Sequence, residues 1–140
     1  MDAKQMWADF GGRGEPDAWA FGEDPDLLAS LTREEIKTAT SSAFAVYEAE
    51  NEPLPKEGDY SVVLGGKGEA VCVIRTTAVR VVPFDKVSAE HARKEGEGDL
   101  SLAYWRKVHE AFFRKELASI GQTFSPDMPV VCEEFEKVWP

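Results

Sequence analysis

Histidine and cysteine are scarce in this 140-residue chain, with two of each. His91 and His109 stand far apart, and neither belongs to a His-x-x-x-His spacing, so that common metal-binding arrangement is excluded. Cys72 and Cys132 match no metal-ligand spacing either. Each lies in an apolar run of strand character, Ala-Val-Cys-Val-Ile and Val-Val-Cys-Glu, where a thiol serves as a small core hydrophobe. The N-terminal stretch Met1 to Trp7 has no hydrophobic signal core, and no apolar run is long enough to cross a membrane. A reducing cytoplasm with free thiols is the expectation. Gly-x-Ser-x-Gly, Walker and dinucleotide fingerprints are all missing, and Gly65-Gly66-Lys67-Gly68 is a hairpin turn because no helix follows it. No metal and no cofactor is expected.

Positive charge is also in short supply. Sixteen basic residues face twenty-six acidic ones, for a net charge of −10 and a pI near 4.7. Phosphate backbones are gripped by clustered Lys and Arg, so a DNA duplex is not an expected partner, although a small basic pocket remains compatible with this balance. What the chain does have is 43% apolar residues, enough to bury a core, and a length that suits one domain over residues 1–140.

Met6, Trp7 and Phe10 share one face of a helix that Gly11-Gly12 ends. Ala18 to Gly22 reads as a strand or a packed loop. Asp24-Pro25-Asp26 opens a second helix whose buried stripe is expected at Leu27, Leu28 and Leu31. Ser42 to Glu48 reads as one or two helical turns. Tyr60–Leu64 and Glu69–Thr77 form a hairpin, with strand continuing to Phe84 after a bend near Thr77-Ala78. Ser88 is a plausible N-cap for a short helix, and Asp99 or Ser101 for a long one over Leu102 to Leu117. Tyr104, Trp105, Val108, Phe112 and Leu117 are expected on the inward face of that long helix. A last strand runs from Met128 to Val138. Short strands wrapped by helices without regular βαβ alternation indicate an α+β fold, a small, partly open barrel closed by the last strand.

The most chemically loaded stretch is Ile36-Lys37-Thr38-Ala39-Thr40-Ser41-Ser42, one lysine ahead of a cluster of hydroxyls with no acid among them. Lys37 and Thr40 share a face only if the backbone is bent or helical there; in a straight strand they oppose each other. A lysine can serve as a general base, and a threonine hydroxyl as a nucleophile, when their surroundings activate them. The plainer reading is a surface lysine that starts a Thr-rich strand. Glu95-Gly96-Glu97-Gly98-Asp99 places three carboxylates among glycines without the ligand pattern of an EF-hand. Within it Asp99 suits capping, and Glu95 is freer for a site. His109, near Trp105 and Phe112, suits a packed structural role.

Together these segments resemble the ASCH domain, a family with a PUA-like β-barrel. The resemblance rests on Ile36-Lys37-Thr38-Ala39-Thr40, Leu54-Pro55-Lys56-Glu57-Gly58-Asp59-Tyr60, Val71-Cys72-Val73-Ile74, Val82-Pro83-Phe84, the Glu95–Asp99 loop with Trp105 and His109, and Asp127–Glu133. It runs from about Trp19 to the C-terminus. The similarity is to a longer bacterial subgroup with an N-terminal helical extension, here residues 1–18. It implies a small PUA-like mixed barrel flanked by helices, with a cleft for RNA or nucleoside-like ligands. In a branch that hydrolyses N4-acetylcytidine, the implicated residue types match Lys37, Thr40 and Glu95. Two positions depart from the family's habit: Glu35 stands where glycine is frequent, and Arg75 where an acid is frequent.

Two functions follow from the resemblance. As an amidohydrolase, Thr40 would attack an acyl carbon or position a water, Lys37 would move the proton, and Glu95 would hold Lys37 or the leaving amine. Backbone N–H groups near Ser41 and Ser42 would stabilise the oxyanion. As a binding module, the same cleft would take a nucleoside-like ligand or short RNA, with Thr38, Ser41, Ser42, Asp99 and Trp105 as further contacts. A packed structural or interaction domain is the third, plainer alternative.

Overall fold

Strand pairing begins with a hairpin and ends with the C-terminal strand. In the computed structural model, which describes residues Met1–Pro140, five strands form one sheet: β1 (Ala18–Ala20), β2 (Ala39–Ala43), β3 (Tyr60–Leu64), β4 (Ala70–Pro83) and β5 (Pro129–Trp139). Their order is β1-β3-β4-β5-β2, with β1 parallel to β3 and the other pairs antiparallel. The sheet curls into a half-barrel flanked by helices, the PUA-like α+β architecture. The last strand lies inside the sheet, where it joins β2 to β4. Register shifts at Val63/Leu64 and at Thr76/Ala78 bend the long strand, the second at the place expected for a bend.

The helices are α1 (Ala3–Phe10), α2 (Pro25–Arg33), α3 (Phe44–Glu50), α4 (Ala89–Glu95) and α5 (Leu102–Ser119). Alternation along the strands separates two main cores, because successive side chains point to opposite faces. Phe21, Ala29, Val63, Cys72, Ile74 and Phe135 pack on the side that carries α2. Ala43, Phe84, Trp105, Phe113, Leu117 and Cys132 pack on the side that carries α5. The two free thiols therefore sit in different cores, and burial pushes Cys72 up to about 11 and Cys132 up to about 12. Met6 seals a third, smaller cluster over Val62 and Val73. No helix is long and apolar enough to cross a membrane.

Two helical faces differ from expectation. In α2 the buried positions are Ala29 and Thr32, with Leu28 packed beside Phe21, whereas Leu27 is 52% exposed. Asp24 caps the helix by accepting from the Leu27 amide, so Leu27 lies in the first turn, facing water. In α5 the fully buried line runs Trp105, Phe113, Leu117, and Tyr104 is exposed. Those positions, with His109, follow four-residue steps along one face. His109 completes that stripe between Trp105 and Phe113, in keeping with the packed role expected for it.

Candidate functional site

Helix α4 builds one wall. Ser88 accepts from the His91 amide at 3.0 Å and starts the helix, and Glu95 ends it. His91 and Glu95 are four apart and share a face. Gly96 terminates the helix at φ +72°, and a Cβ there would lie 2.5 Å from the Ile36 carbonyl oxygen. The absence of a side chain lets the segment before β2 dock on the end of α4. The Thr38 amide donates to the Lys94 carbonyl at 2.8 Å, and the Thr38 hydroxyl donates to the same oxygen at 3.2 Å.

That segment is irregular before the strand starts at Ala39. Glu35 has φ +63°, and both the Ile36 and Lys37 amides donate to the Leu31 carbonyl. A left-handed backbone at Glu35 is the conformation glycine adopts at least cost, so a non-glycine residue here carries local strain. The turn sends the Lys37 side chain inward, where it is 1% exposed. Its ammonium donates to Glu95 Oε1 at 3.1 Å and Glu97 Oε2 at 2.8 Å, and lies 5.2 Å from the centre of the Phe21 ring.

Glu95, itself 1% exposed, is the hub. Its Oε2 accepts from the Trp105 indole N–H at 2.6 Å and the Ser41 hydroxyl at 2.5 Å, with His91 Nε2 at 3.0 Å. Its Oε1 faces Lys37 and, at 3.5 Å, His109 Nε2. Burial alone would raise this carboxyl, but the Lys37 charge and the His109 and His91 rings beside it outweigh it and hold the group well below the usual carboxylate range. Because Ser41 gives its only hydrogen to Glu95, the 2.8 Å contact between Ser41 Oγ and His91 Nε2 has the imidazole as donor. His91 Nδ1 is buried without a partner. His109 stacks on Trp105 with ring centres 4.3 Å apart and donates from Nδ1 to the Trp105 carbonyl at 2.9 Å.

The opposite side of β2 faces a cavity of about 660 Å³. Thr40 and Ser42 alternate with Ser41 along the strand and line it. Trp19, Phe21 and Tyr47 supply aromatic wall. Thr40 is paired across the strands with Glu133, whose Oε2 accepts from the Thr76 hydroxyl at 2.7 Å. Burial, the largest influence, raises the Glu133 carboxyl despite that hydrogen bond, and Asp59 and Asp17 add to the rise.

Lys37 and Glu95 thus meet directly, while Thr40 hydrogen-bonds to neither and stands on the cavity wall. Ser41 links the two regions: it lines the cavity and bonds to Glu95. Trp105 is 2% exposed and braces Glu95. Asp99 is exposed and accepts from the Ser101 amide, and Ser101 is the residue that caps α5. Arg75 pairs with Glu136 across β4 and β5 at 2.7 Å. The sequence reading did not single out His91, Glu97, Thr76 or Glu133 for the site. The four-residue spacing of His91 and Glu95 was a usable signal; the Thr40–Glu133 pairing depends on a strand register that spans most of the chain.

The ASCH domain family model matches residues 17–139. The chain belongs to the ASCH domain family. The ASCH domain of Lactobacillus crispatus JV V101 superposes with a TM-score of 0.91 at 29% identity, over 98% of this chain and 94% of the other. A protein from Enterococcus faecalis V583 gives 0.86 at 37% identity, over 97% and 85%. No curated protein matches the chain. The PUA-like fold of ASCH domains is compatible with RNA binding.

Proposed function

We propose that this ASCH domain binds a nucleoside-like ligand in the cavity beside β2 and removes an N-acyl group from a cytidine-type base. The observation that carries the reading is the position of Thr40. Its side chain stands on the wall of a cavity of about 660 Å³ and makes no hydrogen bond to protein. That volume falls in the range of about 300–1,000 Å³ usual for small-molecule sites. Aromatic side chains set among polar and acidic groups suit a flat heterocycle with a sugar.

Thr40 orients a water that adds to the acyl carbon; as the C–N bond breaks, the water's proton passes to the leaving amine, giving the carboxylic acid and the free amino group of the base. Lys37 is 1% exposed, donates to two carboxylates and does not line the cavity, so in this reading it is a positioning residue that acts through Glu95 and the Ser41 bonded to it. Phe21 lies between Lys37 and the cavity, since it lines the cavity and its ring centre is 5.2 Å from the ammonium. Glu95 holds Lys37.

Thr40→Ala is the informative variant, because no hydrogen bond of the fold depends on the hydroxyl. With N4-acetylcytidine as substrate and acetate release as readout, this change should lower kcat by about 100-fold or more. Wild-type turnover no greater than that of the variant would sink the catalytic reading.

A second reading draws on the saturation of Glu95. Both its oxygens are already engaged, an arrangement that also suits a rigid brace behind a purely binding cavity. Ligand or short-RNA binding without turnover supports this alternative. Retention of RNA should then weaken steeply with salt if phosphates carry it.

A further inference from the structure

The cavity's own carboxylates have no part in the proposed chemistry, yet one of them faces the hydroxyl that does. Glu133 is 6% exposed, lines the cavity and sits directly across from Thr40. Directly opposed residues of an antiparallel pair project from the same face with Cβ atoms about 5 Å apart. Thr76 occupies Oε2, and no protein group donates to Oε1. A buried carboxyl with one oxygen pinned and the other free is an acceptor held in a fixed direction. Oε1 is open to the cavity, so a ligand that displaces solvent from it without supplying a donor leaves it unpaired.

The surrounding charge narrows the ligand further. Asp17, Glu50, Glu52, Asp59, Glu116 and Glu133 line the cavity, against one lysine, Lys56, which is already paired with Asp59 at 2.8 Å. A phosphate entering here meets like charge. A neutral or cationic heterocycle does not.

We propose that Glu133 is the specificity determinant of this cavity, accepting an N–H from the ligand's base in front of Thr40 and restricting the site to bases and nucleosides rather than nucleotides. The assignment rests on the nucleoside-pocket reading for its ligand class, but the recognition chemistry is that of any flat ring with an N–H beside a ring nitrogen or amidine. Glu133 positions the ligand; it takes no part in bond breaking. Glu133→Gln keeps an oxygen for Thr76 and replaces the free acceptor with an NH₂ donor.

Calorimetry on the full chain tests this with cytidine, N4-acetylcytidine, cytidine 5′-monophosphate and benzamidine, a ribose-free amidine, as probes. The expected result is that wild type binds cytidine at least about tenfold more tightly than its monophosphate, and that Glu133→Gln weakens both cytidine and benzamidine by about tenfold or more. Unchanged binding by a folded Glu133→Gln, or equal affinity for nucleoside and monophosphate, overturns the assignment and leaves the nucleoside reading standing. Glu133-dependent binding of benzamidine with no binding of either nucleoside supports the anchor and removes the nucleoside reading. Failure of every probe to bind overturns both. Should Glu133→Gln not fold, as judged by its thermal transition, the wild-type preference between cytidine and its monophosphate decides the matter.

Discussion

At the scale of single residues, Lys37 is the most constrained side chain in the molecule. It is fully buried, and its charge is compensated only by Glu95 and Glu97. Removing one partner from a buried ion pair leaves an uncompensated charge, so Lys37→Ala should lose about 3–5 kcal/mol of stability in urea unfolding. Lys37→Met combined with Glu95→Gln should lose less than the single change, because the buried carboxylate is neutralised along with the lysine. A smaller loss for the single variant would mean that water enters the cluster. The sequence exposed Lys37, Thr40 and Glu95 as residue types worth attention, and a lysine ahead of hydroxyls reads equally well as surface. Only the left-handed turn at Glu35 and the docking of α4 decide that this lysine goes inward.

Among the elements, α4 and the segment before β2 behave as one unit joined at Gly96. A side chain at that position would strike the Ile36 carbonyl, which is backbone and has no rotamer to yield, and φ is +72°. Gly96→Ala should therefore destabilise by more than about 1 kcal/mol in thermal or urea unfolding. It should also disturb the Lys37–Glu95 contact, visible as a shift in the Trp105 indole N–H resonance, since that group donates to Glu95. A variant as stable as wild type would show that the junction relaxes freely. The element boundaries were largely legible: Ser88 and Ser101 cap where hydroxyl residues precede apolar periodicity, and the hairpin follows its glycine turn. The faces were less legible. Leu27 and Tyr104 were expected inside and are exposed, while Phe113 is buried, because both sit among apolar residues that fall on more than one side of their helices, α2 and the 18-residue α5, so the pattern alone does not choose the inward direction.

For the whole molecule, the excess of acids shapes the response to pH. The carboxyls of Glu133, Asp17 and Glu116 are raised, mainly by burial, so in the folded state they take up protons before the unfolded chain does. Their contribution is complete below the unfolded values, 4.5 for glutamate and 3.8 for aspartate, and is lost as pH rises through the raised folded values. Glu95 has the opposite sign. Its folded value lies well below 4.5, so its contribution is present above 4.5 and lost as pH falls through the folded value. Stability from urea unfolding should therefore rise as pH falls through the raised values of these carboxyls toward 4.5 and decline in stronger acid as Glu95 takes up its proton, with Glu133→Gln flattening the upper limb. A steady decline from about pH 7 downward would contradict the opposing signs. By itself, the sequence determined the class of the fold, its main strands and helices, the acidic character and the family. Fold class, elements and charge are local or compositional, and periodicity, caps, turns and charge counts report them directly, whereas the family entered as a resemblance of motifs spread along the chain. The tertiary structure alone decided that Glu95 gathers Lys37, Ser41, His91, Trp105 and His109, and that Thr40 stands beside Glu133 on the wall of a cavity. Alternating side chains send Thr40 and Ser41 to different neighbours, and which neighbours they meet is fixed by strand register and helix docking between segments more than 50 residues apart.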